Sequence, residues 1–389
     1  MNEPVGPPML GVADLEVRQG GALVLRVPRL EVRRGEILAV MGPNGAGKST
    51  LLLALALLQK PAGGSIRVAG ELATSASAAS LRRRMAVVFQ EPLLLDTSVA
   101  QNVATGLQLR GMPRHEQHAR AARWMAAFGI SHLAKRSARS LSAGEAQRTS
   151  LARAFALEPE VLLLDEPFSA LDAPTRNAVT ADLLGILRAT KTTTVLVTHD
   201  RDEALAFGDR VGVLIGGQLR QVGPPEEVFG APADPEVASF VGVETIAPGV
   251  VVAHEEGLAQ VRIGDRLVEV VSTLSKGTPV LFCLRPEDVT LHPMPEGAPM
   301  PPSSARNRLP GRVAGLSPWG TQVRVMVDCG FAVTAAVTRR SAVELGLEAG
   351  AAVVASFKAT SAHLIARSGS PDREAVEPDR PAPVARHGG

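Results

Sequence analysis

The sequence is poor in the features that mark a disulfide scaffold, a membrane span or a nucleic-acid surface. Cysteine occurs only at Cys283 and Cys329, which excludes a disulfide framework and a CxxC zinc site. No apolar run is longer than the eight residues 51–58, whereas a membrane-spanning helix takes about 20. Charge is balanced: 41 Lys and Arg against 39 Asp and Glu leave +2, so no basic field invites nucleic acid. The opening residues, MNEPVGPPML, lack the charged-then-apolar layout of a secretory signal. These absences together predict a soluble intracellular chain whose membrane role, if any, comes through a partner. Tyrosine is missing and the first aromatic is Phe89, so no residue upstream of it offers an aromatic ring for stacking. At 389 residues, 45% apolar, the chain is long enough for two or three domains of about 150 residues.

Three textures divide it. From about residue 9 to 240, short apolar runs alternate with helical patterns, the mark of α/β architecture. The runs 37–41, 86–89, 161–164, 194–197 and 211–215 are apolar throughout, as parallel strands buried on both faces must be. Helical patterns cover 50–58, 114–128 and 173–189. Beyond about 243 the runs become short and β-like, broken by Gly and Pro, with a Pro-rich joint at 293–303 between two lobes, 243–292 and 304–367. The polar stretch 368–389 cannot bury a core and reads as disordered. The lobes look like an internal repeat. Pro248-Gly249 matches Pro310-Gly311 and Gln260-Val261-Arg262 matches Gln322-Val323-Arg324, both 62 positions apart. Gly277, Val280, Arg285 and Leu291 match Gly350, Val353, Lys358 and Leu364 at 73, which leaves about 11 additional residues in the second lobe, around TRRSAVELGLE.

Lysine is scarce, six in all, and one of the six falls in Gly42-Pro43-Asn44-Gly45-Ala46-Gly47-Lys48-Ser49-Thr50, between a strand and a helix. The glycines let successive N–H groups turn around a phosphate and the helix N-terminus adds its field. Lys48 would reach the β/γ-phosphates and Ser49 would ligate Mg²⁺. The strand 161–164 ends in Asp165 and Glu166. Beside the phosphate loop, Asp165 would join the Mg²⁺ shell and Glu166 would act as general base on a water.

Leu141-Ser142-Ala143-Gly144-Glu145 then resembles the signature motif of ABC-transporter ATPases. Gln90 is similar to that family's Q-loop residue, Ser169-Ala170-Leu171-Asp172 to its D-loop and His199 to its switch histidine, in the family's order across residues 9–240. The resemblance implies an α/β P-loop ABC ATPase domain with a helical subdomain, hydrolysing ATP. It further implies a head-to-tail homodimer in which Ser142, Ala143, Gly144 and Glu145 meet the nucleotide bound by the other subunit. Gln90 would touch Mg²⁺ or water and report to a membrane partner, and His199 would hold the γ-phosphate and orient Glu166. Two departures stand out. Ala143 replaces a glycine of the signature, which predicts modest weakening. The family stacks adenine on an aromatic upstream of the phosphate loop, but Val17-Arg18-Gln19-Gly20-Gly21 has none, leaving Arg18 as the available cation. Poor discrimination between ATP and GTP is the expectation.

The C-terminal part resembles the family's TOBE region of two small OB-like barrels, through Arg285-Pro286-Glu287-Asp288. Its second lobe is similar to the molybdate/tungstate-binding Mop type, opening Ser304-Ala305-Arg306-Asn307 and closing Lys358-Ala359-Thr360. A dianion needs cationic and neutral donors, and Ser304, Arg306, Lys358 and Thr360 have no acid close in sequence, whereas the first lobe places Glu287 and Asp288 there. The resemblance therefore implies an ATPase subunit of a molybdate or tungstate importer. It would work on the inner face of the membrane with transmembrane permease subunits and an upstream oxyanion-binding protein, and its Mop lobe would sense intracellular oxyanion. Alternative cargoes are sulfate, iron, polyamine or sugar, with structural lobes; a soluble oxyanion store or sensor is a third reading. His115 and His118, three apart on a helix, find no third ligand and read as a solvated face. Trp319 reads as a packed loop residue.

Overall fold

The structure, a computed structural model, describes residues 7–294 and 303–367. Residues 295–302 of the expected joint and the whole expected tail lie outside the described residues. The chain divides into two compact units between Val243 and Glu244.

The first unit is built on ten strands: β1 (Leu10–Gln19), β2 (Ala22–Val32), β3 (Ile37–Met41), β4 (Gly63–Val68), β5 (Glu71–Leu72), β6 (Met85–Val88), β7 (Val161–Asp165), β8 (Thr193–Thr198), β9 (Arg210–Ile215) and β10 (Gln218–Gly223). They form one sheet in the order β5-β4-β1-β2-β10-β9-β3-β8-β7-β6. The five runs read as parallel strands lie side by side at one end of it, parallel at every joint. Their unbroken apolarity has a physical cause: alternate side chains enter two different cores. Leu162, Leu164 and Leu196 face one core, while Val161, Leu163, Val195 and Val197 face the other.

The helices α1 (Lys48–Leu55), α2 (Ala78–Arg82), α3 (Val99–Leu109), α4 (Arg114–Ala127), α5 (Ala143–Ala156), α6 (Ala173–Thr190) and α7 (Arg201–Phe207) cover this sheet. From α3, α4 and α5, Val103, Trp124, Phe128 and Phe155 meet in the first core and make a helical subdomain. The helix expected at 50–58 is shifted. It starts two residues earlier, because Gly47 (φ 95°) supplies its N-cap, and stops at Leu55, before Leu57 turns left-handed (φ 57°).

The second unit contains β11 (Thr245–Glu255), β12 (Leu258–Ile263), β13 (Arg266–Val271), β14 (Pro279–Leu284), β15 (Thr290–Pro293), β16 (Asn307–Trp319), β17 (Gln322–Asp328), β18 (Ala332–Thr338), β19 (Ala352–Phe357) and β20 (His363–Ala366). The repeat is visible in the register. Thr245 pairs with Leu284 as Asn307 pairs with Phe357, which reproduces both sequence offsets. The additional residues of the second lobe form the short helix Arg339–Glu344 and the turn after it.

The lobes do not close on themselves. The last strand of each joins the other's sheet, giving β13-β12-β11-β14-β20 and β15-β19-β16-β17-β18. Cys283 pairs with His363 and Ser356 with Thr290, so the exchange is reciprocal. Both lobes consequently share one hydrophobic core, with Phe282 and Phe357 at 5.7 Å between ring centres. Buried polar side chains lock the exchange. The Asn307 amide accepts from the Glu269 N–H (2.7 Å) and donates to its carbonyl (2.8 Å), and the equivalent Thr245 hydroxyl accepts from the Thr334 N–H (3.0 Å).

Candidate active site

The C-terminal ends of β3, β6, β7 and β8 deliver four groups to one edge of the sheet, where parallel α/β sheets present their sites. The loop after β3 passes under Leu214 so closely that a Cβ on Gly42 would run into that residue's carbonyl, and only glycine fits. Lys48, 6% exposed, curls back so that its ammonium donates to the carbonyls of Gly42 (2.9 Å) and Pro43 (3.1 Å). It stands 3.6 Å from a Glu166 oxygen. The Ser49 hydroxyl donates to Asp165 at 3.1 Å. Burial pushes the Asp165 carboxyl up, reinforced by Glu166 and opposed by Ser49 and Lys48.

Glu166 sits in the left-handed region (φ 43°), a conformation a non-glycine residue keeps only when its surroundings impose it. Its N–H donates to Val197 (2.9 Å), and its carbonyl accepts from the N–H and hydroxyl of Ser169 (3.2 and 3.0 Å). This geometry turns its carboxylate toward His199, whose Nδ1 lies 3.0 Å away. Lys48, Ser49, Gln90, Glu166, Ser169 and His199 line a cavity of about 680 Å³ together with Asn44, Gly45, Gly47 and Thr50.

At the other end the cavity is lined by Gln19 and Val24 of the β1–β2 hairpin. The Arg18 guanidinium is instead spent on the Gly21 carbonyl (3.1 Å), so Gln19, and not Arg18, faces the cavity. Strand alternation was the signal for this, since Arg18 and Gln19 point to opposite faces. Val24 could not be found from sequence, because only the hairpin register brings β2 to the site.

None of residues 142–145 lines this cavity. Ser142 caps α5 with an exposed side chain, and it and Glu145 bond reciprocally (3.3 and 2.8 Å). The Ser142 N–H holds the Glu145 carboxyl below its usual range. Gly144 packs so tightly that a Cβ there would lie 2.5 Å from the Thr175 methyl, while Ala143 is exposed and has room for its own.

In the second unit Ser304, Arg306, Lys358 and Thr360 are all exposed. The Asn307–Phe357 pair places Arg306 and Lys358 at neighbouring strand ends. No acid is close to these four in sequence, but the fold brings one in from a distance: Arg306 forms an ion pair with Glu269 of the first lobe at 3.1 Å. The adjoining cavity, about 460 Å³, is lined by Glu255, Glu256, Glu269 and Arg306 among others. Trp319 is not a packed loop residue. It is 65% exposed at the tip of the β16–β17 hairpin, with the Arg324 guanidinium 5.7 Å over its ring. His115 is exposed and leans on Glu116 at 4.0 Å.

A phosphate loop, an acidic strand end and a histidine-bonded glutamate on one edge of a parallel sheet define a P-loop nucleotide hydrolase. Comparison with known proteins narrows the class. The ABC transporter family matches residues 25–169 and the TOBE domain matches residues 303–364. The molybdate/tungstate import ATP-binding protein WtpC of Pyrococcus horikoshii is 37% identical over 87% of this chain and 95% of its own length. The sulfate/thiosulfate import protein CysA of Thermosynechococcus vestitus is 37% identical over 82% and 87%. The Fe(3+) import protein FbpC of Streptomyces coelicolor is 36% identical over 94% and 99%. Among solved structures, cbiO1 of Clostridium perfringens, part of an ABC transporter complex, superposes with TM-score 0.54 at 31% identity, covering 60% of this chain and 94% of that one. A dimeric ATP-binding cassette with ADP and Pi superposes at 0.52 and 27%, covering 56% and 99%. The chain belongs to the ATP-binding import subunits of ABC transporters, and it is an ATPase.

Proposed function

We propose that this subunit hydrolyses ATP to drive import of an oxyanion of the molybdate/tungstate kind, as a dimer peripheral to the inner membrane face and docked on separate permease subunits. The observation that carries the catalytic part is the Lys48–Glu166–His199 arrangement. Lys48 stands where a γ-phosphate needs a cation, Glu166 can take the proton of an attacking water, and His199 fixes which way that carboxylate points. Gly42, Pro43, Asn44, Gly45, Ala46, Gly47 and Thr50 complete the phosphate cradle. The hydroxyl of Ser49, the carboxylate of Asp165 and the amide of Gln90 are the hard oxygen donors that suit Mg²⁺, which would neutralise phosphate charge there. Asp165, whose burial disfavours its charged form, is the ligand with most to gain from a cation. Ser142 and Ala143, which are exposed, together with the half-buried Glu145 and the buried Gly144 behind them, serve the cavity of the second copy, in keeping with their absence from the lining of their own. No helix among the described residues is long and apolar enough to cross a membrane, and the permease supplies that path.

The oxyanion reading rests on the similarity to WtpC over most of the chain and on the cation pair Arg306 and Lys358, with the hydroxyls of Ser304 and Thr360. Because Glu269 occupies Arg306 within one chain, a dianion binds only by displacing that carboxylate. The second reading, the same ATPase for sulfate, iron or polyamine with purely structural lobes, is favoured by that Arg306–Glu269 ion pair and by the spread of cargoes among relatives. Calorimetric titration of the full-length protein with molybdate, tungstate and sulfate separates the two. Binding of the first two, lost in Arg306→Ala and Lys358→Ala, supports the oxyanion reading; absence of binding by a confirmed dimer leaves the second.

A further inference from the structure

Arg153 lies in the last turn of α5, the helix that Ser142 caps. Among the described residues it has no carboxylate partner. Its Nη1 donates to the Leu93 carbonyl (2.9 Å), and its Nη2 to the Pro92 carbonyl (2.7 Å) and the Ser150 hydroxyl (3.4 Å). A half-buried guanidinium that spends its donors on two consecutive carbonyls is unusual, because a carboxylate normally offsets the loss of water. Burial accordingly lowers its pKa.

Pro92 and Leu93 follow Gln90, which faces the nucleotide cavity. This segment belongs to neither helix nor strand, and side chains hold it in place. Asn102, fully buried on α3, takes Leu95 from both sides: its Oδ1 accepts from the Leu95 N–H (2.7 Å) and its Nδ2 donates to the Leu95 carbonyl (3.0 Å). Arg153 takes Pro92 and Leu93. Under that clamp Leu93 keeps a left-handed backbone (φ 45°) and its side chain stays 57% exposed. Release of the clamp removes what imposes this conformation.

We infer that Arg153 is a positioning residue, which makes the Gln90 loop ride on the signature helix so that displacement of Ser142 is passed along α5 to Gln90. The rod is a continuous helix with Ser142 at one end and Arg153 eleven positions on, and the fork geometry of guanidinium fixes both distance and direction. Lysine can hold one carbonyl but not set the plane of two. The inference rests on the ATPase reading for its consequence, though not for the clamp itself.

The test uses full-length wild type, Arg153→Gln, Arg153→Lys, Gln90→Ala and the Gln90→Ala/Arg153→Gln double variant. Amide exchange over 91–95 is expected to rise about tenfold in Arg153→Gln while the rest of α5 keeps its protection. The kcat for ATP is expected to fall about 10- to 100-fold with KM moving less than about twofold, since phosphate binding is untouched. Arg153→Lys, the milder change should Arg153→Gln fold poorly, is expected to fall between. Because Arg153 acts through Gln90, adding Arg153→Gln to Gln90→Ala is expected to lower kcat less than about twofold further. Unchanged exchange over 91–95, or losses that multiply in the double variant, overturns the inference. Absence of hydrolysis by wild type overturns the ATPase reading instead, and the exchange measurement still decides the clamp.

Discussion

Two places in this chain have the composition to bind an anion, and they are made in opposite ways. The phosphate loop is contiguous in sequence, its lysine is buried, and its two acids come together from the end of β7. The second-lobe site gathers four exposed side chains at the ends of β16 and β19, and its principal cation is already paired with an acid from the other lobe. A site built from a strand–loop–helix unit carries its geometry wherever that unit folds. One built from surface side chains takes its charge balance from whatever tertiary structure places alongside, here Glu269. A tetrahedral oxyanion at the second site would therefore compete with a carboxylate, whereas a phosphate at the first would meet a lysine held ready.

Breaking the first site has the largest expected effect. Glu166→Gln is expected to lower phosphate release about 10³-fold while leaving nucleotide binding intact, whereas Glu269→Gln leaves hydrolysis within about twofold. Equal losses would show that the sites are not independent. Next in size, Glu269→Gln is expected to tighten molybdate binding about tenfold by freeing Arg306, read by calorimetry; weaker binding would mean the carboxylate belongs to the site. For the base end of the cavity, the ratio of kcat/KM for ATP over GTP is expected to stay within about threefold, because no ring stacks on the base. Gln19→Phe is then expected to raise affinity for both nucleotides.

Smaller effects sharpen the electrostatic contrast. Folding raises the Asp165 pKa, so the charged carboxylate lowers stability at neutral pH. That loss disappears as pH falls from the raised folded value toward the ordinary one. Asp165→Asn is expected to raise the melting temperature of the nucleotide-free protein by a few degrees and to flatten this pH dependence in thermal melts. Smallest of all, the buried thiols of Cys283 and Cys329 are pushed up to about 12 and about 11, so neither is expected to react with iodoacetamide in the native protein at pH 8. Rapid labelling of one would mean that its lobe opens.

Much of the first unit was legible because its signals are local. Unbroken apolarity marks a strand buried on both faces, and Gly42 and Gly47 mark backbone that side chains would block. The helix boundary at 50–58 misled because propensity does not register the cap at Gly47 or the left-handed turn at Leu57. In the second unit the repeat was readable down to its two offsets, and the structure reproduces both in the register. The exchange of β15 and β20 was not readable, since a strand carries the same alternating pattern whichever sheet receives it.

By itself the sequence determined the order of elements, the phosphate loop, the acidic strand end and the likeness of the two lobes, because each depends on residues near one another along the chain. Tertiary structure decided that Gln19, and not Arg18, faces the nucleotide cavity, that Glu269 neutralises Arg306, and that Arg153 grips the Gln90 loop. Each of these joins residues far apart in sequence or selects one face of a strand. Packing makes such choices, and the free energy of burying a charge or a carbonyl depends on the partner that the whole fold supplies.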